Sequence, residues 1–223
     1  MIRPLAAFLA VPALALSSLA SAEIALYPSG PAEDSAFIRF INAAPAPLQV
    51  TAQEGAAPLQ LDAAKPASAF FPVQASSPIK GTLASGAQKI PLTLSVEPGE
   101  FATVVAIADG AKGVKQVAVR EQPDDFNGLK ASLAFFSLDA SCADASLRPA
   151  GRTADLFKAV PEGTLQRRSI NPVSLSVQLV CANANVGSPL ALGELKAGER
   201  YSVLLVPSAN GPQLLSATDA LAH

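Results

Sequence analysis

Acyl transfer and hydrolysis need a nucleophile with a base beside it, and this chain is poor in bases. Its only histidine is the C-terminal His223, at a position where chains fray. A Ser-His-Asp or Cys-His arrangement requires a positioned imidazole, and His223 offers none. There is no Gly-x-Ser-x-Gly elbow, no phosphate-binding glycine loop and no Ser-x-x-Lys in a strand-to-helix setting. One histidine and two isolated cysteines leave nothing from which to build a zinc or similar transition-metal site. Asp124-Asp125 could meet calcium, although adjacent carboxylates in a polar stretch are more often solvated. No catalytic residue, cofactor or metal is expected.

Two other residue sets carry interaction chemistry. Cys142 and Cys181 both lie in the second half of the chain. Cys181 continues the series Val173, Leu175, Val177, Leu179 and is expected to be buried. A disulfide between the two is expected, worth about 2–4 kcal/mol, with two buried free thiols as the alternative. The absence of a Cys-x-x-Cys argues against a redox role. Arg167-Arg168, just before Ile170-Asn171-Pro172, could meet an acidic partner or an anionic polysaccharide, or simply sit solvated at the entrance to a strand.

The elements that must position these residues read as strands. In 90–96, Ile90, Leu92, Leu94 and Val96 share one side, and 173–179 alternates apolar and polar throughout. Such alternation marks half-buried antiparallel strands. Further strands are expected at 37–42, 48–52, 102–107, 114–120, 131–138 and 201–206, separated by turn clusters such as Glu97-Pro98-Gly99, Lys196-Ala197-Gly198 and Asn210-Gly211-Pro212. Nineteen prolines and fourteen glycines leave little room for long helices. The fold class expected is all-β, with two β-sandwich-like domains in tandem.

The boundary between them falls in the polar stretch 120–128, which holds Pro123 and Gly128; an ordinary long loop within one sandwich is the alternative. The domains are then 23–120 and 129–223, with a linker at 121–128. The halves read as distant copies. Pro98-Gly99-Glu100 and Ala197-Gly198-Glu199 each join two strands, and a hydrophobic strand opens each half.

The first residues set the compartment. Arg3 supplies a positive charge, an apolar run of about fifteen residues follows, and Ala20-Ser21-Ala22 forms an A-x-A pattern before Glu23. This is the layout of a secretory signal peptide over 1–22, and the run is shorter than the ~20 residues of a membrane span. Half the residues are hydrophobic, 15% are charged and the net charge is -2, so neither disorder nor nucleic-acid binding is expected. With no Trp and two Tyr, stacking platforms for sugars are scarce.

Three islands of sequence carry a family resemblance. Ala25-Leu26-Tyr27-Pro28 is followed by Ser35-Ala36-Phe37-Ile38-Arg39-Phe40-Ile41-Asn42-Ala43, and the second half holds Arg168-Ser169-Ile170-Asn171-Pro172-Val173-Ser174-Leu175. In this order they resemble the AlgF family of periplasmic alginate O-acetylation proteins, whose two domains meet where Pro123 lies. The resemblance implies a non-catalytic adaptor. Its partners would be a membrane-bound acyltransferase and periplasmic acetyltransferases, with the polysaccharide as a further candidate contact and the membrane reached only through partners. The cysteine pair and the segment 151–164 are additions to the family's pattern, and the polymer is alginate or another acetylated polysaccharide.

Candidate partner contacts are Leu26, Tyr27 and Pro28 beside the new N-terminus, Arg39 on the side of its strand opposite Ile38 and Phe40, Arg168 and Asn171. Packing as a first edge strand is the alternative for Leu26–Pro28, and plain solvent exposure for Arg39. Two other function classes are a carbohydrate-binding module, which the scarce aromatics oppose, and a secreted structural sandwich repeat.

Overall fold

The computed structural model describes residues 35–52, 57–122 and 127–222, all within the compact unit Pro31–His223. The described chain is all-β. Its first half forms β1 (Ser35–Asn42), β2 (Leu48–Ala52), β3 (Leu59–Leu61), β4 (Phe71–Gln74), β5 (Ile79–Ser85), β6 (Gln88–Leu94), β7 (Phe101–Ala108) and β8 (Val114–Glu121). The second half forms β9 (Ala131–Ser137), β10 (Ser146–Pro149), β11 (Thr164–Ile170), β12 (Val173–Cys181), β13 (Ala184–Leu195), β14 (Arg200–Ser208) and β15 (Gly211–Thr218). A single 3-10 turn, Gly110–Lys112, is the only helical element among the described residues, and none is long or apolar enough to cross a membrane.

Each half is a lobe of two facing sheets; among the described residues no sheet runs from one half into the other, and a single isolated parallel bridge, Phe70 with Leu221, crosses between them. The first lobe pairs its strands as β4-β1-β7-β8 and β3-β2-β5-β6; the second as β11-β9-β14-β15 and β10-β12-β13. Omitting β3, the topologies superpose strand for strand. In both, the opening strand runs parallel to the penultimate one (β1 with β7, β9 with β14) and every other pairing is antiparallel.

The hydrogen bonds repeat as well. Phe37 N–H donates to Glu100 O at 2.8 Å and Ser132 N–H to Glu199 O at 2.9 Å, while Gly99 N–H donates to Ser35 O at 2.9 Å and Gly198 N–H to Lys130 O at 2.8 Å. The Gly-Glu turns thus dock the same way onto the opening strand of each lobe. Gly99 at φ +75° and Gly198 at φ +78° adopt the left-handed conformation that favours glycine.

Each lobe has a core of its own, and a third lies between them. Ala36, Ile38 and Phe40 fill the first lobe with Leu48, Leu83 and Val104; Leu133, Phe135, Leu179 and Val203 fill the second. The opposite faces of the same strands meet in a third cluster of Ile41, Val105, Ile107 and Val119 against Ala134, Phe136, Leu204 and Val206. The sheets containing β1 and β9 are therefore covered on both sides. This is why β7 and β9 read as nearly unbroken apolar runs, whereas β12, on an outer sheet, begins by alternating. Strand β8 continues through Glu121, one residue into the stretch expected as linker.

Candidate functional site

The largest fully buried side chain belongs to Arg39. On β1, Ile38 and Phe40 point into the first lobe, so Arg39 points the other way. That way leads into the second lobe. Its Nε donates to Thr103 Oγ1 at 3.0 Å, Nη1 to Asp219 Oδ1 at 2.6 Å and Nη2 to Ser202 Oγ at 2.8 Å. The guanidinium lies 4.4 Å from the Phe70 ring centroid and 5.8 Å from that of Phe136, within cation–π range. This corrects the reading of Arg39 as an exposed partner contact: at 0% exposure it is sealed by the lobe that β1's second face packs against.

Around it lies a chain of ions drawn from both lobes. Asp219 Oδ2 accepts from Arg167 Nη2 at 2.9 Å. Arg167 also forks onto the carboxylate of Glu121, Nη2 to Oε2 at 3.0 Å with a second, shorter bond from Nε to Oε1, and donates to Ser132 Oγ at 3.2 Å. Arg200 completes the series, 3.4 Å from Glu121 Oε2 and 5.6 Å from the Phe101 ring centroid. The duplication makes Glu121 and Asp219 counterparts, since Glu121 pairs with Phe101 on β7 and Asp219 N–H bonds Arg200 O on β14. Each of these carboxylates bonds an arginine of the opposite lobe.

The electrostatics follow from the counts. Burial by itself would raise the Asp219 carboxyl, but Arg39, Arg167 and the Ser202 hydroxyl outweigh it and hold it below the ordinary carboxylate value. Burial lowers Arg39, and Asp219 only partly offsets this. Arg167 is buried as well, yet Glu121 and Asp219 together raise it. Arg200 is lowered by burial and by neighbouring Arg167.

One hydroxyl–carboxylate pair invites a catalytic reading. Ser202 Oγ donates to Asp219 Oδ1 at 2.7 Å while accepting from Arg39. A carboxylate flanked by two guanidiniums is a weaker base than a free one, and Ser202 is 0% exposed, so no substrate reaches it. The constellation is suited to joining two lobes. Sequence reading missed it, although a lone arginine inside the apolar run 36–41 was a signal for it.

The remaining candidates lie apart. Cys142 and Cys181 are bonded to each other with Cα atoms 4.9 Å apart, at one end of the second lobe's core. Arg168 is exposed and donates from Nη1 to Leu156 O at 2.8 Å. Asn171 is exposed and accepts from Lys130 Nζ through Oδ1. Leu129, 82% exposed, adjoins Lys130 in sequence, and Val173, 48% exposed, follows Asn171 by two residues. Leu26, Tyr27, Pro28, the 1–22 segment, Asp124, Asp125 and His223 lie outside the described residues.

The model of the family described as "Alginate O-acetyl transferase AlgF" matches residues 6–202. No curated protein matches the chain. Among solved structures, the C-terminal domain of AlgF from P. aeruginosa is similar at 22% identity and TM-score 0.34, covering 40% of this chain and 98% of that one. The Bacillus anthracis TIE protein is similar at 10% identity and TM-score 0.27, over 77% of this chain and 34% of that one. A family 26 carbohydrate-binding module of Eubacterium rectale Amy13K, solved with maltoheptaose, is similar at 8% identity and TM-score 0.24, over 83% and 97%. Structural likeness at these scores carries no argument about function.

Proposed function

Because the chain belongs to the AlgF family and so to alginate O-acetylation, we propose that it is a non-catalytic periplasmic adaptor. It is exported through a signal peptide over 1–22 and organised as sandwich domains 23–120 and 129–223 joined through 121–128. It bridges a membrane-bound acyltransferase and periplasmic acetyltransferases acting on alginate or a related exopolysaccharide.

The observation that carries this reading is the state of Ser202. Its hydroxyl is fully buried, hydrogen-bonded on both sides, and next to a carboxylate whose basicity two arginines suppress. Acyl transfer needs a base that can take the hydroxyl proton, and the only histidine is His223. The exposed features suit contact with protein instead: Leu129 and Val173 are exposed apolar side chains close in sequence to Lys130 and Asn171, and Arg168 is an exposed charge.

Deleting the gene tests the proposal. O-acetylation of the secreted polysaccharide should be lost or reduced, and affinity capture with the mature protein should recover an acetyltransferase of the same system. The purified protein should neither hydrolyse nor transfer acetyl esters. Normal acetylation in the deletion strain overturns the reading, and so does turnover by the isolated protein.

A further inference from the structure

An exposed sheet edge is a template for another strand, and folded proteins blunt such edges by shortness, charge, proline or bulges. Among the described residues, seven of the eight sheet edges are blunted in these ways. Strands β3, β4 and β10 have three or four residues. Strand β6 carries Lys89 and Pro91, β8 carries Lys115, Arg120 and Glu121, and β11 carries Arg167 and Arg168. The β12–β13 ladder is broken by register shifts, and β13 holds Pro189 and Glu194. Strand β15 differs. It is eight residues long, uncharged and paired with β14 in unbroken register, with proline only at its second position.

The ladder's phase identifies what is free. A two-residue turn joins Ser208 to Gly211, and Asp219 N–H bonds Arg200 O, so the odd-numbered residues of β15 bond to β14. Leu214 and Ser216 consequently turn both backbone groups toward the open edge. Depressions flank that edge on both faces of the strand. On the inter-lobe side, a groove of about 580 Å³ is walled by Asn42, Ala44, Pro45, Val206, Pro207 and Leu215. On the other, one of about 240 Å³ is walled by Val186, Pro189, Leu190, Pro212 and Leu214. No charged residue lines either one.

We propose that β15 accepts an extended, uncharged segment of a partner protein by strand addition, its side chains falling alternately into the two depressions. Period-two side chains suit two pockets on opposite faces of one edge, and unpaired backbone groups supply the affinity. The proposal rests on the adaptor reading: the segment belongs to a periplasmic acetyltransferase of the same system.

Hydrogen–deuterium exchange on the full mature chain, alone and mixed with the purified acetyltransferase, tests it. Exchange over 211–218 should slow in the mixture. Ser216→Pro removes an outward N–H without touching the β14 ladder, and Ser216→Lys puts a charge on the edge. Ser216→Pro should weaken binding about tenfold, the value of one or two lost hydrogen bonds, and Ser216→Lys should weaken it through its charge, both with the melting temperature unchanged. Binding that leaves 211–218 unprotected and both variants at wild-type affinity overturns this inference while the adaptor reading stands. Absence of any binding removes both. Protection that grows with protein concentration and without the partner assigns the edge to a second copy, and also overturns it.

Discussion

At Arg39 a full positive charge is stripped of water and given one carboxylate, two hydroxyls and two aromatic faces instead. Buried ion pairs contribute little net stability, but removing one partner strands the other charge at a cost of about 3–5 kcal/mol. Asp219→Asn should therefore destabilise the protein by about that amount in urea unfolding. The double variant Arg39→Met/Asp219→Asn should lose less than the single, because no orphan charge remains. The pH dependence has a definite sign. The folded carboxyl of Asp219 lies below its ordinary value of 3.8, so its contribution is complete above that value and lost as pH falls through the folded one. The stability gap between wild type and Asp219→Asn should stay constant from neutrality to about pH 5 and narrow only in stronger acid. A gap that closes by pH 6 would contradict this account of Asp219.

The turns and bridges that join elements carry the duplication. Gly99 and Gly198 occupy equivalent left-handed positions, and a Cβ would meet nothing within 4 Å at Gly99 and only Gly128 O at 3.6 Å at Gly198. Sterics then leave only the backbone term, so Gly99→Ala and Gly198→Ala should each cost about 1–2 kcal/mol, nearly equally. Unequal costs in denaturant titrations would show that the two turns are not equivalent supports. The disulfide belongs to the second lobe alone. It ties the loop after β9 to the end of β12, across 39 residues of chain. The non-reduced chain should weigh two hydrogens less than the reduced one. Reduction should lower stability by about 2–4 kcal/mol and raise hydrogen exchange first in β10 and β12.

On the scale of the whole molecule, the third core and the ion chain make the two lobes depend on one another. Ile41, Val105 and Val119 from one lobe pack on Phe136, Leu204 and Val206 from the other. Arg39–Asp219 and Arg167–Glu121 cross the same boundary in opposite senses. Separating the lobes would expose an apolar face and part Arg39 from Asp219 and Glu121 from Arg167. The mature protein should accordingly unfold in one calorimetric transition with equal van't Hoff and calorimetric enthalpies. Two resolved transitions would mean that the shared core contributes little.

Much of this protein is decided by local chemistry and is legible in the order of residues. Alternation at 173–179, proline and glycine punctuation, and the paired Gly-Glu turns follow from backbone sterics and the two-residue period of a strand, and they suffice for an all-β chain built of two related halves. Scarcity of histidine is likewise a property of composition. The destination of each strand's second face is different. Whether Arg39 meets water or another lobe depends on which sheets stack, and stacking is settled by surfaces brought together from positions up to 180 residues apart. Short strands such as β3, β4 and β10 carry too few residues to show a period, so only their neighbours define them. Nothing in the local sequence marks Asp219 or Glu121, because no adjacent residue pairs with either carboxylate. The Arg39–Asp219 and Arg167–Glu121 pairs exist only once two copies of one topology have folded against each other.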